Sequence, residues 1–195
     1  MKKHRKRWLA LSLFINLGVL FLFKYFNFLA ESTHDLFAQF NIFYESPAFD
    51  LLLPVGISFY TFQTLSYSID VYRGKLEPER NFARFALFVS FFPQLVAGPI
   101  ERATHLLPQF KQKFNFEYAR VVSGLRLILW GFFKKVVIAD NIGRVVDQVY
   151  NNPGDQNGAT FLVATYFFAF QIYCDFSGYS DIAIGSARIM GFDLM

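Results

Sequence analysis

The sequence predicts an all-α membrane protein, a multi-span helical bundle with a re-entrant segment. Hydrophobic residues make up 54% of the 195 residues and charged residues 17%, below the share of about 25% that is usual in globular proteins. Apolar runs recur along the chain, each bounded by charge, which is typical of several membrane spans. Because the basic residues cluster at the ends of these runs, we interpret the net charge of +4 as membrane topology and not as nucleic-acid binding.

Two spans are predicted in the first third of the chain. The first, residues 8–30, follows a basic N-terminus and imitates a signal peptide, but it is long for one and shows no clear cleavage pattern. We therefore expect a retained span, with cleavage after Ala30 as the alternative. The second, residues 51–69, has Pro54 and Gly56 in its first turns and is rich in Ser and Thr. Such a span is expected to pack against other helices or a cavity and not against lipid.

The apolar run 82–100 is predicted to be re-entrant. Pro93, Gly98 and Pro99 interrupt it, and Lys and Arg lie on both of its sides. A full crossing would place one basic flank outside, against the positive-inside rule. Broken backbone at membrane depth is tolerated where it is buried in protein or lines water. Further spans are predicted at residues 121–139, 159–175 and 182–195.

The charges of the connecting segments then give one consistent topology. The N-terminus and residues 70–120 lie on the cytoplasmic side, and residues 31–50 and 140–157 lie outside. Residues 176–181 lie near the inner side. In the last segment, Ala183 and Ala187, with small residues between them, suit close helix contact.

The polar stretch 171–181 is the strongest candidate for a site, because carboxylates follow hydrocarbon there without a spacer. An ionised carboxylate at membrane depth is costly unless it faces protein or a water-filled cavity. One hypothesis is a polar cavity. The other is a helix–loop–helix junction at the interface, in which Gly178 makes the turn and Asp181 caps the next helix. A continuous helix would place Gln171, Asp175 and Tyr179 on one face.

Several kinds of chemistry find no support in the sequence. It has no Gly-rich phosphate loop, no paired His spacing for a metal and no Gly-x-Ser-x-Gly motif, and its single Cys174 excludes an internal disulfide. His105 could act as a general base, although a lone interfacial His is more often simply solvated. Asp175 and Asp181 could form an acid–base pair, but structural roles are favoured because no partner base is visible.

Three ordered blocks of residues resemble the membrane-bound O-acyltransferase family. They are residues 54–63 (PVGISFYTFQ), 92–100 (FPQLVAGPI) and 171–181 (QIYCDFSGYSD). The order and separation of the blocks also fit, and the resemblance extends from about Trp8 onward. Within the family the sequence is similar to the bacterial alginate O-acetyltransferase branch, which includes peptidoglycan O-acetylation proteins.

The resemblance implies transfer of an acyl group, expected to be acetyl, to hydroxyls of an exported polysaccharide such as alginate or a cell-wall glycan. It implies acetyl-CoA or another thioester as donor, no bound cofactor, and a multi-pass protein of the bacterial cytoplasmic (inner) membrane. Expected partners are membrane lipid and periplasmic or extracellular acyltransferase proteins that reach the polymer, and no nucleic acid is expected. The expected cavity-lining residues are Gln63, Gln94, Gln171, Asp175, Ser177, Tyr179 and Asp181.

Family members carry an essential histidine on a later helix, within a segment rich in Trp and Arg. No stretch up to Met195 matches that segment, and the role is not transferred to another histidine. We therefore expect an internal fragment that is inactive alone and supplies scaffold and cavity lining. The alternatives are a fragment of a membrane transporter or lipid flippase, which would also use broken helices and intramembrane polar groups, and a non-catalytic scaffold.

Overall fold

The computed structural model describes residues 2–40, 54–95, 98 and 101–195, with side chains from Arg5 onward. Within these residues the chain is all-helical and has no strand, which confirms the predicted class. The α-helices are α1 (Lys2–Lys24), α2 (Phe26–Gln39), α3 (Ile57–Arg73), α4 (Phe82–Val89), α5 (Ala103–Gln109), α6 (Tyr118–Phe132), α7 (Asp140–Asn151) and α8 (Gly158–Met190). A π-helix, Phe133–Ala139, joins α6 to α7, and 3₁₀ turns lie at Phe92–Gln94 and Pro153–Asp155.

Two helices of the described residues are long and apolar enough to cross a membrane. They are the α1 segment Arg5–Lys24 and the whole of α8. The other predicted spans stay predictions as spans, and so does the re-entrant path of residues 82–100. The structure does break that run, since α4 ends at Val89 and a 3₁₀ turn follows at Phe92–Gln94.

The helices fall into two compact units, Met1–Ser90 with Arg102–Thr104, and Phe91–Glu101 with His105–Met195. In the first unit, α1 packs against α3. Polar side chains bridge the two helices at three levels: Ser12 with Ser68 (3.0 Å), Thr64 with Asn16 (2.7 Å) and Lys24 with Ser58 (3.3 Å). The prediction that the Ser/Thr-rich segment packs against another helix is thus confirmed.

In the second unit, α8 packs along the continuous run of α6, the π-helix and α7. Glycines mark the closest approach. A Cβ on Gly178 would lie 2.8 Å from the carbonyl oxygen of Gly131, and a Cβ on Gly185 would lie 2.7 Å from that of Gly124. Such distances exclude any side chain, so each pair of glycines lets two backbones touch, as in small-residue helix packing. Ala183 and Ala187 are buried in the same helix, as their spacing predicted.

The helices of the first half do not share the bounds of the expected spans. The first apolar run ends at residue 30, but the helical path continues to Gln39 in α2, through a stretch without Pro or Gly. It is also interrupted, since Tyr25 separates α1 from α2. Pro54 and Gly56 precede α3 instead of lying within it, and Gly56 adopts a left-handed conformation (φ 77°) that ends any helical path. At its other end α3 extends to Arg73, where Gly74 is left-handed. Residues 41–53 lie outside the described residues.

Two expectations for the second half of the chain are wrong. The acidic segment 140–157, expected as a loop, is helical up to Asn151 as α7. The expected spans 159–175 and 182–195 are one helix, α8, which ends at Met190. Gly178 does not make a turn there, and Asp181 caps nothing. Glycine usually marks the end of a helix. Here it lies inside α8, because the backbone of Gly131 comes so close to position 178 that a side chain would not fit.

We predict that Gly178→Ala destabilises the protein by about 1–3 kcal/mol, the usual cost of overpacking a tight contact. The added methyl would meet the Gly131 carbonyl. Thermal unfolding in detergent measures the effect. Gly158→Ala is the matched control on the same helix, because a Cβ there meets nothing within 4 Å. Equal stability of the two variants would contradict the proposed contact.

Candidate functional site

The candidate site is a charged cluster where the π-helix meets α8. Glycine at position 178 lets the π-helix backbone come close, since a Cβ there would lie 3.1 Å from the Lys135 amide nitrogen and 3.3 Å from Lys134 Cβ. A π-helix has more residues per turn than an α-helix, so successive side chains diverge by a smaller angle. Lys134 and Lys135 can therefore both reach α8. The charged cluster comprises Lys134, Lys135, Asp140, Asp175 and Asp181, with Ser177 between them.

Lys134 is the inner cation of the cluster. Its Nζ lies 2.5 Å from Asp181 Oδ2 and donates to Ser177 Oγ (2.6 Å) and to the Ser177 carbonyl oxygen (3.3 Å). An ammonium group has three donors, so these contacts saturate it. The two charged side chains are 12% and 20% exposed. Lys134 is thus suited to hold the π-helix on α8 and not to act as a nucleophile or base.

Lys135 is the outer cation. Its Nζ lies 2.7 Å from Asp175 Oδ1 and 2.8 Å from Asp140 Oδ1, and the three side chains are 41–52% exposed. The cluster as a whole has three carboxylates and two ammonium groups, so its formal charge is −1. Asp175 is the carboxylate of α8 that remains accessible beside a cation.

The structure brings together part of the predicted set. Asp175, Ser177 and Asp181 belong to the charged cluster. Each of the two aspartates pairs with a lysine that the sequence analysis did not single out, and these ion pairs fit the structural roles that it favoured for them. Their partners come from a segment expected to be a span, and the signal in the sequence was the adjacent pair of lysines at its end. The continuous helix also places Gln171 and Tyr179 on the face of Asp175.

The remaining predicted residues are held by other contacts. Gln171 packs against α7, where a Cβ on Gly143 would lie 2.7 Å from its Nε2, and its buried Oε1 has no hydrogen-bond partner among the described residues. Gln63, in the first unit, is buried and donates to the carbonyl oxygen of Phe88 (3.0 Å). Gln94 is buried, and Tyr179 is half-buried. A cavity lined by this set stays a prediction.

A second polar pair lies at α5. Glu101 is buried, accepts a hydrogen bond from the Met195 backbone N–H, and lies 3.0 Å from His105 Nδ1. A carboxylate at Nδ1 favours the tautomer in which Nε2 accepts. His105 is about one-third exposed, so this arrangement orients an imidazole that the sequence could only mark as solitary. Across the described residues, no group of three His, Cys, Asp or Glu side chains could hold a metal ion.

Comparison with known proteins gives consistent relatives. The model of MBOAT, the membrane-bound O-acyltransferase family, matches residues 78–195. The chain is 40% identical over 190 residues to the "Probable alginate O-acetylase AlgI" of Pseudomonas aeruginosa, covering 97% of this chain and 36% of that protein.

Two further relatives carry different names. One is the "Peptidoglycan O-acetyltransferase" of Helicobacter pylori, 34% identical over 93% of this chain and 38% of that protein. The other is the "Teichoic acid D-alanyltransferase" of Bacillus subtilis, 28% identical over 74% of this chain and 37% of that protein. The chain therefore spans somewhat more than a third of the length of these relatives.

We predict a large coupling free energy between Lys134 and Asp181 in the stability of the protein. Lys134→Met or Asp181→Leu alone leaves a largely buried charge unpaired and is expected to cost about 3 kcal/mol, the low end for such pairs. The double variant removes both charges and should be more stable than either single one. A double-mutant cycle of thermal unfolding in detergent measures the coupling.

Lys135→Met with Asp175→Leu is the matched control cycle. These side chains are about half exposed, so their coupling should stay below about 1 kcal/mol. Equal coupling free energies in the two cycles would show that burial does not strengthen the Lys134–Asp181 pair.

Proposed function

Because the chain belongs to the membrane-bound O-acyltransferase family, we propose that the protein that carries it transfers acetyl groups to hydroxyls of an exported polysaccharide. The observation that carries this proposal is the 40% identity with an alginate O-acetylase across nearly the whole chain. The peptidoglycan relative shares less identity, so alginate is the first acceptor to test and a cell-wall glycan the second.

The proposed reaction is an ester exchange. The hydroxyl oxygen of the polymer attacks the carbonyl carbon of a thioester, such as acetyl-CoA, and the thiol leaves with the proton. This reaction needs a base for the hydroxyl and donors for the developing oxyanion. We assign neither role to the charged cluster, because Lys134 is saturated by Asp181 and Ser177. The cluster instead fixes the wall of the reaction cavity.

Asp175 would face that cavity. It interrupts the apolar sequence of a helix long enough to cross a membrane, and its side chain is half exposed. An aspartate at a helix centre costs roughly 2.5–3.5 kcal/mol on insertion scales, which is more than the half-exposed pair with Lys135 offsets. We propose that the open side of this pair lies against water or substrate and not against lipid.

The location and partners follow from the same proposal. The chain is a membrane protein by its family and by its two candidate spans. We propose that it lies in the cytoplasmic membrane with the N-terminus of α1 inside, since that end is basic. A thioester donor made in the cytoplasm would then reach the cavity from within, and periplasmic or extracellular acyltransferase partners would bring the polymer to the cavity from the other side.

The test of the proposed function is removal of the gene that encodes this chain from its own bacterium. We expect ester-linked acetate to disappear from one exported polymer and to return on complementation. Proton NMR of isolated alginate and of isolated peptidoglycan identifies the acceptor. Unchanged acetylation of both polymers, together with altered lipid or solute transport, would favour a transporter instead.

We further predict that Asp175→Leu lowers polymer acetylation more than tenfold while the amount of protein in the membrane changes little. Asp175→Asn keeps the shape and hydrogen bonding and should retain more activity. Asp147→Leu is the matched control, because Asp147 is an exposed carboxylate of α7 outside the charged cluster. Full acetylation combined with higher stability in Asp175→Leu would place the residue at lipid or an inert contact, against the proposal.

A further inference from the structure

A cavity of about 300 Å³ lies between α1 and α3, in the first unit. It is at the end of the helix pair where α1 begins and α3 ends. Its walls combine a cation with aromatic and aliphatic side chains, which include Arg5, Trp8, Leu9, Tyr67, Val71 and Tyr72. The residues that line it all lie in the first unit, and those of the charged cluster all lie in the second.

Arg5 is the polar anchor of this cavity. Its Nη2 donates to the carbonyl oxygens of Val71 (3.3 Å) and Tyr72 (3.1 Å), and its guanidinium lies over the Tyr72 ring, 5.9 Å from the centroid. A guanidinium has five N–H donors, and both bonds start from Nη2. Among the residues that the structure describes, no acceptor is bonded to Nε or Nη1, so these donors can serve a ligand. Planar, paired donors of this kind match the oxygens of a phosphate group.

The surrounding charge favours an anion. Residues 2–7 contain five Lys or Arg, and Arg73 and Lys75 follow at the end of α3. The nearby acids are fewer: Asp70 is buried, Glu79 pairs with Arg84 (3.5 Å), and Glu77 is exposed. Basic clusters beside a membrane span attract anionic lipid headgroups. The end of this helix pair therefore has the sign of charge that such a lipid needs.

A free phosphate would fill only the polar part of this cavity. It would also be held weakly, because the last carbonyl groups of α3 carry partial negative charge that offsets part of the Arg5 charge.

The apolar part of the cavity faces the lipid interface. Trp8 is 68% exposed and lies at the polar end of the candidate span Arg5–Lys24, where tryptophan usually meets that interface. Leu9 and Val71 extend the apolar wall. A ligand that satisfies both parts has a phosphate and a hydrocarbon chain.

We propose that this cavity is a binding site for a phospholipid with an anionic headgroup. The lipid phosphate receives hydrogen bonds from Arg5, and an acyl chain lies along Trp8 and Leu9. The proposal does not rest on the acyl-transfer reaction, because no residue of the cavity is assigned a part in it.

The test uses the protein that carries this chain, reconstituted in nanodiscs with equal amounts of phosphatidylglycerol and phosphatidylcholine. After transfer to detergent, native mass spectrometry counts the lipids that stay bound. The unaltered protein should retain phosphatidylglycerol several-fold over phosphatidylcholine. Arg5→Gln should lower that preference about fivefold, since one interfacial cation contributes about that factor.

Arg7→Gln is the matched control, with the same change of charge two residues along α1 at a position that does not line the cavity. It should keep most of the preference. Trp8→Ala leaves Arg5 and its hydrogen bonds in place, and should reduce retention of both lipids. Equal loss in Arg5→Gln and Arg7→Gln would overturn the site in favour of diffuse surface attraction. Unchanged retention in Trp8→Ala would overturn the placement of the acyl chain.

Competition separates the lipid from other sources of phosphate. Neither 10-fold excess inorganic phosphate nor coenzyme A should displace the retained phosphatidylglycerol. Displacement by either one would overturn the lipid assignment and identify a soluble phosphate ligand for Arg5.

Discussion

The close backbone approach of α8 to the α6 and π-helix run is the constraint on which the candidate site depends. Gly131 and Gly178 leave no room for a Cβ between the two helices. Side chains next to these glycines are thereby brought within hydrogen-bond distance across the interface, and Lys134 reaches Ser177 and Asp181 for that reason. The same contact explains why a glycine stands in the middle of a 33-residue helix despite its cost of about 1 kcal/mol relative to alanine.

The electrostatics of the charged cluster divide it into two parts with different roles. The Lys134–Asp181 pair is mostly buried, so the free-energy cost of removing the two charges from water nearly cancels their mutual attraction. The pair therefore adds little net stability, and its role is to fix one arrangement of the helices. The Lys135 pairs are about half exposed, and their strength depends on what lies beside them. In water they would be weak, whereas beside hydrocarbon they would be required to keep Asp175 ionised.

How much the sequence could predict depends on the range of the interaction concerned. Composition and apolar runs predict the helical class, and the small residues at 183 and 187 predict a close contact, because both signals are local. The path of α8 through Gly178 was not predictable, since it depends on Gly131, 47 residues away in the chain. Residues 140–151 are helical although Asp, Asn, Gly and Val are weak helix formers, because Gly143, Val146 and Val149 lie on one buried face, and only the packed structure shows that this face has a partner.

The candidate site shows the same limit. The carboxylates of residues 171–181 stand out in the sequence because they follow an apolar run. Their partners do not, since the lysine pair 134–135 resembles the end of an ordinary span. The π-helix that turns both lysines toward α8 has no marker in its sequence, which contains neither Pro nor Gly. Likewise, the contact between Glu101 and His105 requires the fold of the segment that connects them.

The length of α8 has a consequence for how the protein responds to its bilayer. A helix of 33 residues rises about 50 Å, while the hydrocarbon layer is about 30 Å thick. Even a tilt of about 40°, the upper end for such helices, leaves a projection of about 38 Å. Wherever a helix of this length crosses a bilayer, part of it therefore extends into the headgroup region or beyond. The thickness of the bilayer then determines how deep Asp175 and Asp181 lie in it. A mismatch between helix length and bilayer thickness therefore changes the surroundings of these two charges.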